Sequence, residues 1–198
     1  MWVVKLGGSL ADSEALPHWL SALSQTAAVI VPGGGPFADE VRKAQARWGF
    51  DDQTAHDMAI LAMRQYGLML ASLGGLPTAT TLNELAAKRH QATVWLPLPE
   101  NLNAAGIPAS WNITSDSLAA WLAGQLNAAH LLLVKSVKLS QHKAACDRLI
   151  ADGILDPAFR HFSQSAPFQS WLCGRTDYAT LIGAMQNPDQ HVQCIVYT

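Results

Sequence analysis

Two glycine clusters follow short apolar runs, and a lysine stands inside the first run. The first reads Val3-Val4-Lys5-Leu6-Gly7-Gly8-Ser9, the second Val29-Ile30-Val31-Pro32-Gly33-Gly34-Gly35-Pro36. A strand that stops at glycines and turns into a helix presents bare backbone N–H groups at a positive helix end, and phosphate is the usual guest. Gly7-Gly8-Ser9 alone is an ordinary turn. Gly33-Gly34-Gly35 says more, because consecutive glycines weaken a packed element unless backbone must approach closely. Lys5 places an ammonium in an apolar strand, which is costly unless it meets an anion. It either snorkels from an edge strand to solvent or aims at a phosphate held by Gly7, Gly8 and Ser9. Neither cluster spells G-x-x-x-x-G-K-[ST] or G-x-G-x-x-G, which argues against a Walker-type ATPase and a dinucleotide dehydrogenase.

Other candidates have two readings each. Asp116, in Asn112-Ile113-Thr114-Ser115-Asp116-Ser117, either complements a helix dipole or reaches into the site to hold a lysine. His56, in Thr54-Ala55-His56-Asp57-Met58, is a polar residue at a helix start or a hydrogen-bonding partner for an acceptor substrate. Arg42 clamps an anionic group or stands on a solvated face. Lys135 and Lys138 close an apolar run, where one of them meets a nucleotide or both are loop lysines. The remaining histidines have no metal-ligand spacing, and no Ser/His/Asp or Cys/His arrangement emerges.

These groups need a scaffold. At 198 residues, 49% hydrophobic and 14% charged, the chain supports one domain, 1–198, with a sizeable core. A net charge of -2 disfavours nucleic acid as a partner. Cys146, Cys173 and Cys194 lack zinc spacing and suggest a reduced, cytoplasmic setting. The N-terminus enters a strand without leader features, and no run is long enough to span a bilayer.

Strands are expected at 2–6, 28–31, near 77–81 and 93–97, and at 130–135, 170–173 and 194–197. Leu16, Trp19, Leu20 and Leu23 mark one helix face, and Phe37, Val41, Ala44 and Trp48 another, with Pro36 in its first turn and Gly49 as its stop. A long helix over 53–73 carries a stripe of Met58, Leu61, Ala62, Leu68 and Met69 and ends at Gly74-Gly75. Thr114 or Ser115 caps a further helix, and 176–186 forms the last. The stretch 97–108 reads as a loop, and 136–168 as a loop, a short helix and turns. This alternation implies an α/β three-layer sandwich with a mostly parallel sheet. Ligands in such sheets bind beyond the carboxyl ends of the strands, where both glycine clusters fall.

Three motifs in order resemble the amino acid kinase superfamily: Val4-Lys5-Leu6-Gly7-Gly8-Ser9, Val31-Pro32-Gly33-Gly34-Gly35-Pro36 and Ile113-Thr114-Ser115-Asp116-Ser117-Leu118-Ala119. Ala55-His56-Asp57-Met58-Ala59-Ile60 and the short length are most similar to its aminomethylfuranmethanol phosphate kinase-like subgroup, which points to methanofuran or C1-cofactor synthesis. Asp152-Gly153-Ile154-Leu155-Asp156-Pro157 and Cys173-Gly174-Arg175 resemble its C-terminal half more faintly.

The resemblance implies transfer of the γ-phosphoryl group of ATP, with Mg²⁺, to a small phosphorylated or carboxylated acceptor, by a homodimer or larger homo-oligomer. Lys5 would stabilise the phosphoryl group and Asp116 would orient Lys5. Gly7, Gly8 and Ser9 would cradle nucleotide phosphates, with Lys135 or Lys138 beside them. Gly33, Gly34, Gly35, Arg42 and His56 would serve the acceptor. It also implies an acceptor and phosphate half at 1–130 and a shortened nucleotide half at 131–198. One departure stands out: the second lysine that many members carry after a Gly-Gly-Met-like segment has no clear match. Lys135 and Lys138 lie early for it, and Arg175 is another cation in that half. The same fold without catalysis, binding a nucleotide or oxyanion, is the alternative.

Overall fold

A computed structural model describes residues 1–136, 143–187 and 194–197. Its strands are β1 (Trp2–Leu6), β2 (Ala28–Pro32), β3 (Thr78–Ala79), β4 (Thr93–Trp95), β5 (His130–Lys135), β6 (Lys143–Ala145), β7 (Gln169–Gly174) and β8 (Cys194–Tyr197). They form a single sheet in the order β3-β4-β2-β1-β5-β7-β8-β6. Every described pairing is parallel except β7 with β8. The helices are α1 (Ala15–Ser24), α2 (Gly35–Trp48), α3 (Asp52–Gly74), α4 (Leu82–Ala87), α5 (Pro99–Ala104), α6 (Ser115–Gln125), α7 (Cys146–Ala151), α8 (Phe159–Ser163) and α9 (Leu181–Gln186).

Both faces of the central strands are covered, so these strands read as continuous apolar runs. Val3, Val31, Leu131 and Leu133 pack with Leu118 and Leu122 of α6 and Phe159 of α8. Val4, Ile30 and Leu132 pack on the opposite face with Trp19 and Leu20 of α1 and Leu70 of α3. The result is the α/β/α layering that the alternating pattern implies. Parity along the strands then decides the chemistry. Lys5 shares the α6 side with Val3, and Lys135 shares it with Leu131 and Leu133, because side chains two apart lie on one face. Lys5 is level with Leu133 across the β1–β5 pairing. Two ammoniums therefore emerge side by side at the carboxyl edge, under the start of α6.

Several expectations change. Only the second glycine cluster opens directly into a helix. The first enters a 3₁₀ turn, Gly8–Leu10, and α1 begins at Ala15. The stretch 97–108 contains α5, with proline in its first turn. Residues 143–168 hold β6, α7 and α8, and 176–186 divides into a 3₁₀ turn, Asp177–Thr180, followed by α9. Unforeseen α4 is opened by a reciprocal capping box between Thr81 and Glu84.

Of the stripe assigned to the long helix, Ala62 is buried and Met69 packs partly buried against the core, but the other three residues face outward. Met58, Leu61 and Leu68 are 36%, 44% and 51% exposed, while His56, Ile60, Met63, Tyr66 and Leu70 are buried. Gly67 explains the choice. A Cβ there would stand 2.7 Å from a Leu96 methyl, so the glycine lets α3 close against the sheet on that side. Trp48, expected on the packed face of α2, is 71% exposed at its last residue.

Candidate active site

The two glycine turns touch each other backbone to backbone. A Cβ on Gly8 would lie 2.3 Å from the Gly35 nitrogen, and one on Gly33 would lie 2.3 Å from the Gly8 nitrogen. The Gly33 N–H donates to the Leu6 carbonyl at 2.8 Å, extending the β1–β2 ladder into the turns. Gly35 has φ +57, in the left-handed region, where other residues are strained. The consecutive glycines are thus explained by close approach of one turn to the other. Gly8→Ala must separate the turns, and is expected to cost about 1–3 kcal/mol by overpacking. Urea unfolding would measure it, and an unchanged midpoint would contradict the contact.

Asp116 joins the two lysines. Thr114 is the N-cap of α6, which sets Asp116 in the first turn, pointing at the strand ends. Its Oδ1 lies 2.8 Å from Lys5 Nζ, and Lys135 Nζ donates to its Oδ2. Lys5 is 6% exposed and Asp116 3%. Burial alone would raise the Asp116 pKa, but the two ammoniums outweigh it and hold the group at about 2. Burial and the neighbouring Lys5 charge lower Lys135 to about 8, against the pull of Asp116 and Asp156. Two ammoniums share one carboxylate, which leaves a buried cluster with one excess positive charge at neutral pH. Such a cluster favours an incoming anion.

Two cavities adjoin it. The smaller, about 180 Å³, is lined by Lys5, Gly7, Gly8, Ser9 and Lys135 together with Gly153 and Ile154. The larger, about 400 Å³, includes Gly8, Ser9, Gly34, Gly35, Arg42 and His56 in its lining. Gly8 and Ser9 line both, so ligands in the two would meet at the first glycine turn. In the larger cavity His56 is 5% exposed, and its Nε2 has no hydrogen-bond partner among the described residues. Burial lowers its pKa, with Asp57 opposing, so the imidazole is neutral near pH 7. Arg42 lies 4.3 Å over the Trp111 ring and 3.4 Å from Asp39. The Trp111 indole N–H donates to Gln45 at 2.7 Å, which fixes the ring against the cavity.

Residues 1–139 match the model of the amino acid kinase family. The chain belongs to the amino acid kinase family. Over 146 residues it is 32% identical to the [5-(aminomethyl)furan-3-yl]methyl phosphate kinase of Methanocaldococcus jannaschii, a match covering 69% of this chain and 66% of that protein's length. The fold is shared with the uridylate kinase of Archaeoglobus fulgidus, at TM-score 0.74, 16% identity and 99% of each chain. It is also shared with the T. acidophilum isopentenyl phosphate kinase, at TM-score 0.66, 13% identity and 100% of each chain.

Within this amino acid kinase family chain, the structure gathers the sequence candidates unevenly. Lys5, Asp116 and Lys135 form one cluster. Arg42 and His56 line the larger cavity with Gly34 and Gly35. Gly33 lines neither cavity and instead abuts Gly8. Lys138 lies outside the described residues. Arg175 is exposed and lines neither cavity; its carbonyl accepts the Trp19 indole N–H at 2.7 Å. Among the described residues the cation opposite Lys5 is Lys135, from the strand paired with β1. Sequence reasoning gave no role to Trp111 or to Asp156. Trp111 sits in an irregular stretch. Asp156 was visible only as part of the Asp152–Pro157 motif.

Proposed function

We propose that this protein is an ATP-dependent small-molecule kinase that transfers the γ-phosphoryl group to a phosphorylated metabolite. The buried Lys5–Asp116–Lys135 cluster carries the reading, because its two ammoniums line the smaller cavity, which shares Gly8 and Ser9 with the larger one. Phosphoryl transfer asks chiefly for positioning and for positive charge around the moving group. Lys5 and Lys135 supply that charge, and Asp116 holds both. The turn at Gly7, Gly8 and Ser9 receives donor phosphates over the smaller cavity. An acceptor phosphate oxygen, held in the larger cavity, attacks the γ-phosphorus as its bond to the β,γ-bridging oxygen breaks and ADP leaves. Arg42 and the neutral His56 orient the acceptor phosphate, and the Trp111 face gives a planar wall for a ring.

Among the described residues no cluster of three or more His, Cys, Asp or Glu side chains is placed to hold a metal ion. Mg²⁺ suits such a site, since it keeps several waters and binds largely through substrate phosphates. When bound it would supply positive charge to the substrate phosphates, beside Lys5 and Lys135.

In this reading residues 1–130 serve the acceptor and the transferred and donor phosphates, and 131–198 the rest of the nucleotide. The protein works in the cytoplasm; among the described residues no helix is long and apolar enough to cross a membrane. The exposed Met58, Leu61 and Leu68 of α3 supply an apolar surface suited to a homodimer.

The relative's name supplies the first acceptor to try, [5-(aminomethyl)furan-3-yl]methyl phosphate, as a compound of the methanofuran pathway. With Mg-ATP, ³¹P NMR is expected to show paired diphosphate resonances of the product alongside ADP. If ATP binds but no acceptor phosphate yields ADP, the non-catalytic reading of the fold replaces this one. His56→Leu separates the acceptor's needs from the fold's. Removing a buried unpaired polar nitrogen is expected to stabilise the protein by about 1 kcal/mol, while KM for the acceptor rises about tenfold. Thermal unfolding and steady-state kinetics on the same sample check both signs.

A further inference from the structure

Asp156 is a buried carboxylate to which neither the sequence nor the proposed chemistry assigns a task; it is 8% exposed. It lies three residues beyond Gly153, which has φ +67 and lines the smaller cavity with Ile154. The carboxylate faces the first turn of α6. One oxygen accepts the Thr114 N–H at 2.9 Å, the Thr114 hydroxyl at 2.8 Å and the Ser117 N–H at 3.0 Å. The other accepts the Ser117 hydroxyl. The start of a helix leaves N–H groups unpaired, and a cap residue's own side chain usually satisfies one of them. Thr114 makes no such bond; a carboxylate 39 residues beyond Ser117 makes it instead.

These bonds bracket Asp116. Thr114 and Ser117 flank it in the first turn of α6, so fixing both fixes the direction of the side chain between them. The Ala158 N–H adds a bond to the Asn112 carbonyl at 3.1 Å, binding the same two segments just outside the turn. The chain leads from the cavity wall at Gly153–Ile154 to Asp156, whose bonds to Thr114 and Ser117 hold the turn that carries Asp116 and its two lysine partners.

We infer that Asp156 is a positioning residue: it locks the first turn of α6 so that Asp116 can hold both lysines against the smaller cavity. The catalytic consequence rests on the kinase reading; the positional one does not. A misplacement of about 1 Å costs roughly 100-fold in rate. Asp156→Asn retains acceptor capacity at one atom and loses the charge and the other acceptor. The expected result is a kcat lower by about 10- to 100-fold, with KM for both substrates within about twofold. A merely structural role predicts lower thermal stability with kcat of the folded fraction unchanged.

Ionisation of Lys135 gives a readout that needs no activity. The charged groups facing it are Lys5 from β1, Asp116 from α6 and Asp156 from the segment after α7. Asp156→Asn removes one negative charge and loosens the other, so the side-chain NMR titration of Lys135 is expected to shift to lower pH. Asp156→Glu restores the charge but lengthens the arm, and should return the titration more fully than kcat. If Asp156→Asn does not fold, Ser117→Ala removes one donor while keeping the carboxylate, and a smaller shift in the same direction is expected. An unmoved Lys135 titration in a folded variant overturns the inference. Loss of turnover by the wild-type protein would instead overturn the kinase reading, and the titration would still decide the role of Asp156.

Discussion

Lys5→Met is expected to lower kcat by about a thousandfold or more, the scale reported by removal of a cation that neutralises a transferring phosphoryl group. Methionine keeps most of the apolar stem, so the strand packing between Val4 and Leu6 survives. The carboxylate it leaves behind is not stranded, because Lys135 still pairs with Asp116. That pairing loses its like-charge neighbour, which now lowers the Lys135 pKa. The Lys135 ammonium is thus held more firmly in the variant. The loss should therefore appear in the chemical step, with the protein folded and ATP bound. Single-turnover transfer from labelled ATP, alongside a nucleotide-binding titration, separates the two. Turnover within tenfold of wild type would remove Lys5 from the reaction.

Much of this site can be read from residue types because the deciding constraints are local. Lys5 in an apolar strand advertises an anion, and glycines at strand ends advertise close approach of backbone. What they approach was not readable. A Cβ on Gly8 would strike Gly35 and one on Gly33 would strike Gly8, so each turn needs glycine because of the opposite turn. Lys135 was ambiguous because a lysine at the end of an apolar run looks the same whether it faces solvent or a neighbour. Only the register of β1 with β5, and the shared parity of residues 5 and 135, place both ammoniums under Asp116. Asp156 was hidden for a related reason. Its partners are Thr114 and Ser117, far off in sequence, and a side chain that caps a distant helix carries no local spacing signal. The stripe on α3 was right for Ala62 and Met69 and wrong for Met58, Leu61 and Leu68, because the helix has two apolar faces. Gly67 selects between them by allowing contact with Leu96, which hydrophobic periodicity cannot register.

Asp116→Asn should be the most destabilising single change in the cluster. It preserves the shape of the side chain and removes the charge that lets two buried ammoniums coexist. Breaking a buried pair by deleting one partner costs about 3–5 kcal/mol, since the surviving charge keeps its desolvation penalty. The pH dependence identifies the cause. Burial and Lys5 already hold Lys135 at about 8, below its ordinary 10.5, with Asp116 opposing them. Without Asp116 the folded-state value falls further, and Lys135 gives up its proton nearer neutrality. In the unfolded chain that lysine still binds a proton up to about 10.5, so over the interval between the two values the unfolded state holds more protons. Stability of the variant must rise with pH across that interval, starting lower than in the wild type. At the acid end the wild type loses the contribution of Asp116 as pH falls from the ordinary 3.8 toward about 2, and the variant has none to lose. The gap between the two proteins is therefore widest near neutral pH and narrows in both directions. Urea unfolding from pH 3 to pH 10 tests this directly. A gap that stays constant over that range would mean that the lysines are not charged against Asp116. The alkaline limb of kcat/KM is expected to follow the lowered Lys135 pKa, and to move to lower pH in the same variant.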